Sequence, residues 1–257
     1  MIDALSIASS GLAANQAWID SISNNVANMQ TIGYKRSEVN FHDMVREVTV
    51  RDETGAIGSR LNAGAGIRVS DPVQIFSPGV VRSSGNELDV AIQGDGFFEV
   101  ALPTGELAYT RAGRFHVDAD GQLAMGNGQV LSAGVRVPPD VGKLVIKQDG
   151  QVQGTLAETE EVINLGQIQL ARFASAERLE KLGDGLYRPT QLSGEASYSE
   201  PGRDGQGTLL QGFVEMSNVN LIDEMSGLVL AQRAYQMNAR LLQASDQILE
   251  TINNLRR

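Results

Sequence analysis

Both ends of the chain carry apolar residues at a helical spacing. In the N-terminal stretch these positions lie alternately three and four residues apart, which places them on one stripe of an α-helix. They are Leu5, Ala8, Leu12, Asn15, Ile19, Ile22, Val26 and Met29. We predict a helix that begins near Asp3, as N-cap or first-turn acid, and ends near Thr31–Gly33, where Gly33 can adopt the left-handed C-cap conformation.

The C-terminal stretch repeats the same spacing. Asn15 in the first stripe and Asn238 in the second are polar, and a buried asparagine can fix the register and the number of partners at some cost in stability. Spacing alone leaves it open whether the two helices pack within one chain or against neighbouring copies. The second stripe consists of Leu228, Ala231, Tyr235, Asn238, Leu242, Ser245, Leu249 and Ile252, preceded by Leu221 and Met225.

Glycine and proline are concentrated between the two helical stretches. All seven prolines lie from Pro72 to Pro201, and residues of this kind interrupt helices. The alternating stretch 88–93 and the stretch 164–173 read as strands, and Thr104-Gly105, Asp120-Gly121 and Asp149-Gly150 read as hairpin turns. The middle therefore predicts an antiparallel β domain, barrel-like or irregular.

These patterns together predict an α+β fold in which the β domain is inserted between two terminal helices. We expect helices in 1–34 and 221–257 that form a coiled-coil-like layer, and an outer β domain in 71–200. The segment 35–70 is expected to connect them, with 49–66 as a long loop or extended arm because its periodicity is weak. The segment 201–220 is the return connection.

Composition and charge exclude several function classes. The net charge of −10 argues against nucleic acid as a partner, because binding to phosphates needs a basic face. There is no cysteine, which excludes thiolate metal sites. There are only two histidines, His42 and His116, far apart in sequence, which argues against a histidine-based triad or a histidine-rich metal site. No apolar run approaches the roughly 18 residues that span a bilayer. The N-terminus lacks the basic region of a cleaved secretory signal, which predicts a cytoplasmic protein or one exported with its N-terminus intact.

The few candidate chemical motifs are weak. Gly94-Asp95-Gly96 lacks the third glycine and the helix of a phosphate-binding loop, and a β-turn is favoured. The stretch Asp118–Gly121 lacks the remaining ligands of a calcium loop, which favours a hairpin turn. His116 has no nucleophile motif nearby and reads as a surface histidine in a strand. No catalytic, cofactor-binding or metal-binding residue is predicted. The basic cluster Tyr34-Lys35-Arg36 either pairs with the C-terminal dipole of the first helix or contacts another subunit.

Four blocks resemble the flagellar rod and hook protein family. The first contains Asn24, Asn25 and Asn28 and continues to Thr31-Ile-Gly-Tyr-Lys35; the second is Asp89–Phe98. The third is Tyr109–Phe115 with Asp120–Leu123. The fourth runs from Gln211 to Asn220 and on to Ala231–Asn238. The positions that match the family motif at the two ends are Asn24, Asn25, Asn28, Gly33, Tyr34, Lys35, Asn218, Asn220, Gln232, Arg233 and Tyr235.

This resemblance implies a structural subunit without catalysis or cofactor. Family members polymerise into a hollow tube in the flagellar basal body, with the terminal helices inside and the β domain outside. The stretch Leu61–Ile67 is most similar to the distal rod members, in which the segment equivalent to 45–67 is thought to stiffen the rod. The implied partners are further copies of the chain, other rod proteins, the hook protein, surrounding ring proteins and the flagellar export apparatus, with no membrane insertion. The implied location is the basal body across the periplasm, reached without signal cleavage.

Three alternatives stay open at the sequence level. One is a proximal rod or hook-type member of the same family. Another is a cell-wall-acting enzyme with a β catalytic domain, which would need convergent carboxylates such as Asp118 and Asp120. A third is a binding module whose helices pair within the monomer. For the rod subunit we assign the assembly interface to Leu5, Leu12, Ile19, Ile22, Val26, Leu228, Tyr235, Leu242 and Leu249.

Overall fold

The computed structural model describes residues 2–51 and 57–255, with side chains in 5–46, 64–251 and 254. The chain forms two compact units. The helical unit comprises Met1–Ala27, Ser37–Val73 and Asn220–Arg257, and the β unit comprises Asn28–Arg36 and Gln74–Val219. The α+β class is therefore confirmed. The long stretch 37–73 belongs with the helices, and residues 28–36 belong with the strands.

Two helices dominate the helical unit, α1 (Ile2–Ala27) and α2 (Leu221–Leu255). They run antiparallel, because Gly11 of α1 lies against Asn238 of α2 and Gly227 lies against Ile22. A Cβ added at Gly11 would lie 2.7 Å from the Asn238 amide nitrogen. Small residues on this face of α1, with Ala8 and Ala14 also buried, let the two helices approach closely.

The end of α1 departs from the sequence prediction. The helix ends at Ala27 and not at Thr31–Gly33. Residues 28–33 form turns that belong to the β unit, in which the Thr31 N–H donates to the Asn28 carbonyl at 3.0 Å. Gly33 does adopt a left-handed conformation, with φ of 70°. Gly33 does not cap α1, which ends at Ala27; it allows close packing against the Ala112 backbone instead.

The helical unit also contains a long hairpin, which lies between α1 and α2 in the sequence. Its strands are β2 (Phe41–Arg51) and β3 (Ile57–Val69), after the short strand β1 (Ser37–Glu38). The strands are antiparallel with Phe41 opposite Val69. The loop alternative for 49–66 is therefore wrong where the structure describes it, because the chain there forms paired strands, whereas a hairpin is compatible with an extended arm. All of 41–46 are exposed and 64–69 include no buried residue, so neither stretch needs the alternation of polar and apolar residues that a buried face imposes.

The β unit contains the remaining strands, and β4 (Val73–Gln74) leads into it. Its largest sheet has seven strands in the order β16-β17-β8-β7-β11-β10-β9, and β12, β13 and β14 form a second sheet. The strands are β5 (Val81–Ser83), β6 (Val90–Gln93), β7 (Phe98–Ala101), β8 (Leu107–Thr110), β9 (Phe115–Val117), β10 (Leu123–Met125), β11 (Val130–Leu131), β12 (Val141–Ile146), β13 (Gln151–Leu156), β14 (Val162–Gln167), β15 (Leu170–Arg172), β16 (Glu180–Gly183), β17 (Leu186–Arg188), β18 (Ser197–Ser199), β19 (Thr208–Gln211) and β20 (Phe213–Glu215).

The three predicted hairpin turns are confirmed. Gly105, Gly121 and Gly150 follow the first strand of the pairs β7–β8, β9–β10 and β12–β13, and each has a positive φ. The predicted strand 164–173 is instead two strands, β14 and β15, which belong to different sheets. Between them the Ile168 N–H donates to the Gly150 carbonyl at 2.8 Å, so the chain leaves one sheet before it joins the next.

Two apolar clusters fill the β unit. The larger one includes Val90, Phe98, Phe115, Ile168 and Leu209, all at most 2% exposed. The smaller one is mainly aromatic: Phe76 meets Phe97 and Tyr187 edge to face, and Phe173 meets Phe97 and Tyr109 in the same way. The aromatic cluster lies beside the buried charges described next.

Candidate assembly site

Of the predicted interface residues on α1 and α2, Ile22 faces the other helix of the same chain, because it lies against Gly227. Ile22 is buried, and Ala231, a member of the α2 stripe, is fully buried. Tyr235 and Leu249 are 38% and 37% exposed. The remaining predicted residues Leu5, Leu12, Ile19, Val26, Leu228 and Leu242 are half-buried. Packing within the chain thus involves Ile22 and Asn238 of the two stripes, and the assignment of these residues to contacts between copies stays a prediction.

A second apolar stripe on α2 is exposed. It runs through Leu230, Ala234, Met237, Leu241, Ala244 and Ile248, again at alternating steps of four and three residues. The exposed fractions of its large members are 59% for Leu230, 66% for Met237, 56% for Leu241 and 51% for Ile248. The sequence analysis missed this stripe, although the same spacing, shifted one residue towards the N-terminus, would have found it. At about 100° per residue the two stripes lie roughly a third of a turn apart.

The hairpin adds further exposed apolar residues to the helical unit. Phe41, Met44, Val45 and Ile67 are each at least 40% exposed. The base of the hairpin is held to α1, because the Phe41 and Trp18 rings meet edge to face at 6.1 Å and the Ile67 N–H donates to Ser10 Oγ at 3.2 Å. Exposed apolar area of this kind on a soluble protein marks an interaction surface.

Asn25, a family-motif residue, is a buried clamp within the helical unit. Its amide side chain accepts from the Ser37 N–H at 2.9 Å and donates to the Ser37 carbonyl at 2.9 Å. The same Nδ2 lies 3.3 Å from the buried Glu224 carboxylate of α2. Asn25 therefore ties α1, the strand after it and α2 together, which explains why an asparagine fits this position.

Two family-motif residues just before α2, Asn218 and Asn220, form hydrogen bonds with backbone groups. Asn218 in the β unit accepts from the Arg36 N–H at 2.7 Å and donates to the Ile75 carbonyl at 2.7 Å. Asn220 caps α2, because its side-chain oxygen accepts from the Ile222 N–H at 3.0 Å. Asn24, Gln232 and Arg233 are exposed, and Asn28 is half-buried.

Lys35 lies inside the β unit in a cluster of buried charges. Its Nζ is 2.7 Å from Glu215 Oε1 and donates to the Ser77 carbonyl at 2.8 Å. Glu215 Oε1 also accepts from the Gly79 N–H at 2.8 Å, and Oε2 lies 3.3 Å from Arg111 Nε. Burial lowers the pKa of Lys35 and of Arg111, while the Glu215 carboxylate acts in the opposite direction on both.

The two hypotheses for the basic cluster 34–36 are both wrong for Lys35. It is fully buried, so it offers no contact to another subunit, and its charge pairs with Glu215 and not with a helix end. Tyr34 is also buried, with Lys181 Nζ 4.6 Å from its ring centroid. Sequence reasoning missed Glu215 and Arg111, although both lie inside family-like blocks.

Gly33 is required by close packing. A Cβ at this position would lie 2.5 Å from the Ala112 nitrogen and 2.7 Å from its Cα. The Gly33 N–H donates to the Glu215 carbonyl at 2.8 Å. Gly33 thus brings the N-terminal motif against β20 and against the segment that carries Arg111.

The weak chemical motifs serve structural roles. Arg111 Nη1 and Nη2 donate to the carbonyls of Gly96 and Gly94 at 2.7 and 2.8 Å, so this bend presents acceptors to an arginine. A phosphate cradle presents N–H donors instead. Asp118 Oδ1 accepts from the Asp120 and Gln122 N–H groups, which confirms the hairpin turn. His116 is exposed in β9, and the described residues hold no metal-binding group of three or more candidate ligands.

Family models match three parts of the chain. A model described as flagella basal body rod protein covers residues 5–35, and one for the C-terminal part of flagellar basal body rod FlgEFG proteins covers 210–255. A model for the flagellar hook protein FlgE/F/G D1 domain covers 91–154. None of the described helices is long and apolar enough to cross a membrane. Fold and models together define a structural protein of the flagellar rod and hook class.

Full-length relatives narrow this class. The chain is 36% identical to flagellar basal-body rod protein FlgG of Caulobacter vibrioides, over 99% of the chain and 100% of that protein. It is 39% identical to FlgG of Bacillus subtilis, over 96% of the chain and 97% of that protein. It is 31% identical to flagellar basal-body rod protein FlgF of Mesorhizobium japonicum over 99% of both chains. The chain belongs to the FlgG family of flagellar basal-body rod proteins.

Proposed function

We propose that the chain is a subunit of the distal rod and polymerises helically into a rigid hollow shaft. The shaft transmits torque and conducts exported flagellar proteins. The observation that carries this proposal is the exposed stripe on α2, which stands beside a stripe already used within the chain. A helix with two apolar stripes can pack against partners on two sides, and repetition of such a contact closes a layer of helices.

Exposure of this stripe gives the driving force for assembly. Four large apolar side chains, Leu230, Met237, Leu241 and Ile248, are more than half exposed in a single copy. Because each is already partly covered, packing its exposed part against a neighbour contributes on the order of 1 kcal/mol, about half of the value for a fully exposed side chain. The coiled-coil-like inner layer follows if neighbouring copies cover these residues with helices at the same heptad spacing.

The other parts of the proposal follow from family membership and from the site. Partners are other rod proteins, the hook protein, surrounding ring proteins and the export apparatus, with the rod spanning the periplasm and the N-terminus uncleaved. The hairpin stiffens the rod through contacts with adjacent copies. The protein has no catalytic role and no cofactor, which is supported by the use of Asp118 in a turn.

Two adjacent leucines of α2 test the assembly surface. Leu241→Asp places a charge on the exposed stripe, and we expect it to abolish tube formation while thermal unfolding of the monomer changes little. Leu242→Asp places the same charge between α1 and α2, and we expect it also to reduce the helical signal of the monomer, since a buried unpaired charge costs several kcal/mol. Electron microscopy at high protein concentration measures tube formation, and circular dichroism measures the helical signal and the thermal unfolding of the monomer.

Gln243→Asp is the matched control, because Gln243 is exposed and lies off both stripes. We expect this variant to form tubes as the unchanged chain does. Normal tubes from the Leu241 variant would remove the second stripe from the mechanism. If the unchanged chain forms no tubes at any concentration, the shaft itself is refuted.

A further inference from the structure

A cleft opens in the β unit beside the aromatic cluster. Its volume is about 790 Å³, in the range of sites that hold a ligand or a peptide segment. Phe76, Phe97 and Phe173 contribute to its wall. Its polar lining includes three arginines, Arg111, Arg172 and Arg178, against two acids, Asp95 and Glu177. The lining is therefore net positive in a chain whose net charge is −10.

The buried charges behind this cleft have the same sign. Lys35 and Arg111 are 0% and 2% exposed, and Glu215 at 1% is the carboxylate that contacts both. The two buried cations outnumber the one buried anion, and the exposed Asp95 at the cleft is a further acid that acts on both cations. With Asp95 and Glu177 counted, the exposed Arg172 and Arg178 still leave the cluster and cleft together with one net positive charge, and Arg111 reaches the cleft. An anionic group that enters the cleft would therefore be stabilised.

We propose that this cleft binds the acidic hairpin tip 157–161 of a second copy of the chain. The inference deepens the proposed function and rests on it, because the occupant comes from a neighbouring subunit of the polymer. Glu158, Glu160 and Glu161 form the one place in the sequence where three acids fall within four residues. A contact between two different surfaces of identical chains propagates, which is what a helical polymer requires.

The tip is exposed and preorganised. It joins β13 to β14, and all three glutamates are exposed. The Leu156 N–H donates to the Glu161 carbonyl at 3.0 Å, and the Glu160 N–H donates to the Leu156 carbonyl at 3.1 Å. Glu160 adopts a left-handed conformation with φ of 53°. A loop fixed in this way loses little conformational entropy when it binds.

The chemistry of tip and cleft is complementary beyond charge. A glutamate carries two methylene groups that can pack on a phenyl ring while its carboxylate reaches a guanidinium. Val162 directly after the tip is 58% exposed, so an apolar side chain is available for the aromatic wall. The proposed occupant thus offers both components that the cleft lining can receive.

The absence of cysteine from the chain allows a direct test. Ser175 is exposed at the cleft and Thr159 is exposed at the tip. Purified full-length Ser175→Cys and Thr159→Cys variants are mixed at concentrations that give tubes and are then oxidised mildly. We expect a covalent dimer that contains one copy of each variant, since docking brings the two Cα atoms within disulfide range. Thr104→Cys, in an exposed turn of the same unit, replaces the cleft variant as control, and we expect about tenfold less dimer from it.

A second experiment exchanges the charges of the tip and the cleft. Arg172→Glu/Arg178→Glu and Glu158→Arg/Glu161→Arg each place like charges together, and we expect each to raise the concentration needed for tubes by about tenfold or more. A chain with all four changes has opposite charges at the tip and the cleft again. We expect it to form tubes at about the concentration that the unchanged chain needs. The control Glu87→Arg/Glu106→Arg makes the same change in net charge as the tip variant Glu158→Arg/Glu161→Arg, at exposed positions outside the cleft lining, and should form tubes as the unchanged chain does.

The outcomes separate the two levels of the proposal. Tubes without the mixed covalent dimer, or without recovery in the fourfold variant, overturn the tip-in-cleft contact and leave the rod function standing. If the unchanged chain forms no tubes and no mixed dimer, both are overturned. A mixed dimer together with recovery on charge exchange supports the contact.

Discussion

At the scale of single residues, Glu215 connects parts of the β unit that are far apart in sequence. Its side chain contacts Lys35, Gly79 and Arg111, and its carbonyl accepts from Gly33. These groups come from the N-terminal motif, the segment after it and the middle of the chain, whereas Glu215 lies in the last strand. The buried ion cluster therefore becomes complete only when β20 joins the β unit.

The charge count of this cluster predicts an order of stabilities. Glu215→Gln leaves two buried cations without a carboxylate, and we expect a loss of about 3–5 kcal/mol in the free energy of unfolding. Lys35→Met leaves the Arg111–Glu215 pair, which is neutral overall, so we expect a smaller loss of about 1–2 kcal/mol. Denaturant titration followed by near-UV circular dichroism measures both, and equal or reversed losses would contradict this account of the cluster.

Gly33 and Gly85 separate two reasons for a glycine. Both have positive φ, 70° and 76°, but a Cβ at Gly85 meets nothing within 4 Å whereas a Cβ at Gly33 meets the Ala112 backbone. We expect Gly85→Ala to cost about 1–2 kcal/mol for the left-handed conformation alone. Gly33→Ala should cost clearly more, because backbone has to move. Thermal unfolding of the two variants compares them, and similar melting temperatures would show that the close approach relaxes freely.

At the scale of elements, the hairpin β2–β3 has no buried residue in 41–46 or in 64–69, the parts whose side chains the structure describes. It extends from a base held to α1 by Trp18 and Ser10. A two-stranded ribbon alone in water is marginally stable. Contacts with other copies would order it and, in turn, stiffen the polymer, as the proposed function requires.

Shortening the hairpin tests this role. In the observed register Val48 lies opposite Leu61, so replacement of 49–60 by Asn-Gly closes a two-residue turn and keeps the remaining pairs. We expect this variant to polymerise into rods that bend more than those of the full-length chain. Persistence lengths from electron micrographs measure the effect.

A deletion of 50–64 removes more and is the less selective variant. It takes away residues that pair with Val45 and Arg46 near the base, so a failure to assemble would not separate stiffness from folding. Rods of unchanged stiffness from the Asn-Gly variant would exclude the hairpin tip from the mechanism.

At the scale of the whole molecule, the chain passes between its two units four times. The helical unit takes residues from both ends and from 37–73, and the β unit takes the rest. The family motifs flank three of these passages: Asn25 and Asn28 the first, Lys35 the second, and Asn218 with Asn220 the last.

The sequence determined the two helices, the three Asp-Gly or Thr-Gly turns and the family, because spacing, turn chemistry and motifs are local signals. It did not determine which helix stripe faces inward, that Lys35 is buried, or that 49–66 belongs to strands where it is described. Tertiary structure decided these points, since burial depends on what packs against a residue. α2 carries two stripes of the same period, and only the position of α1 shows which one is left exposed.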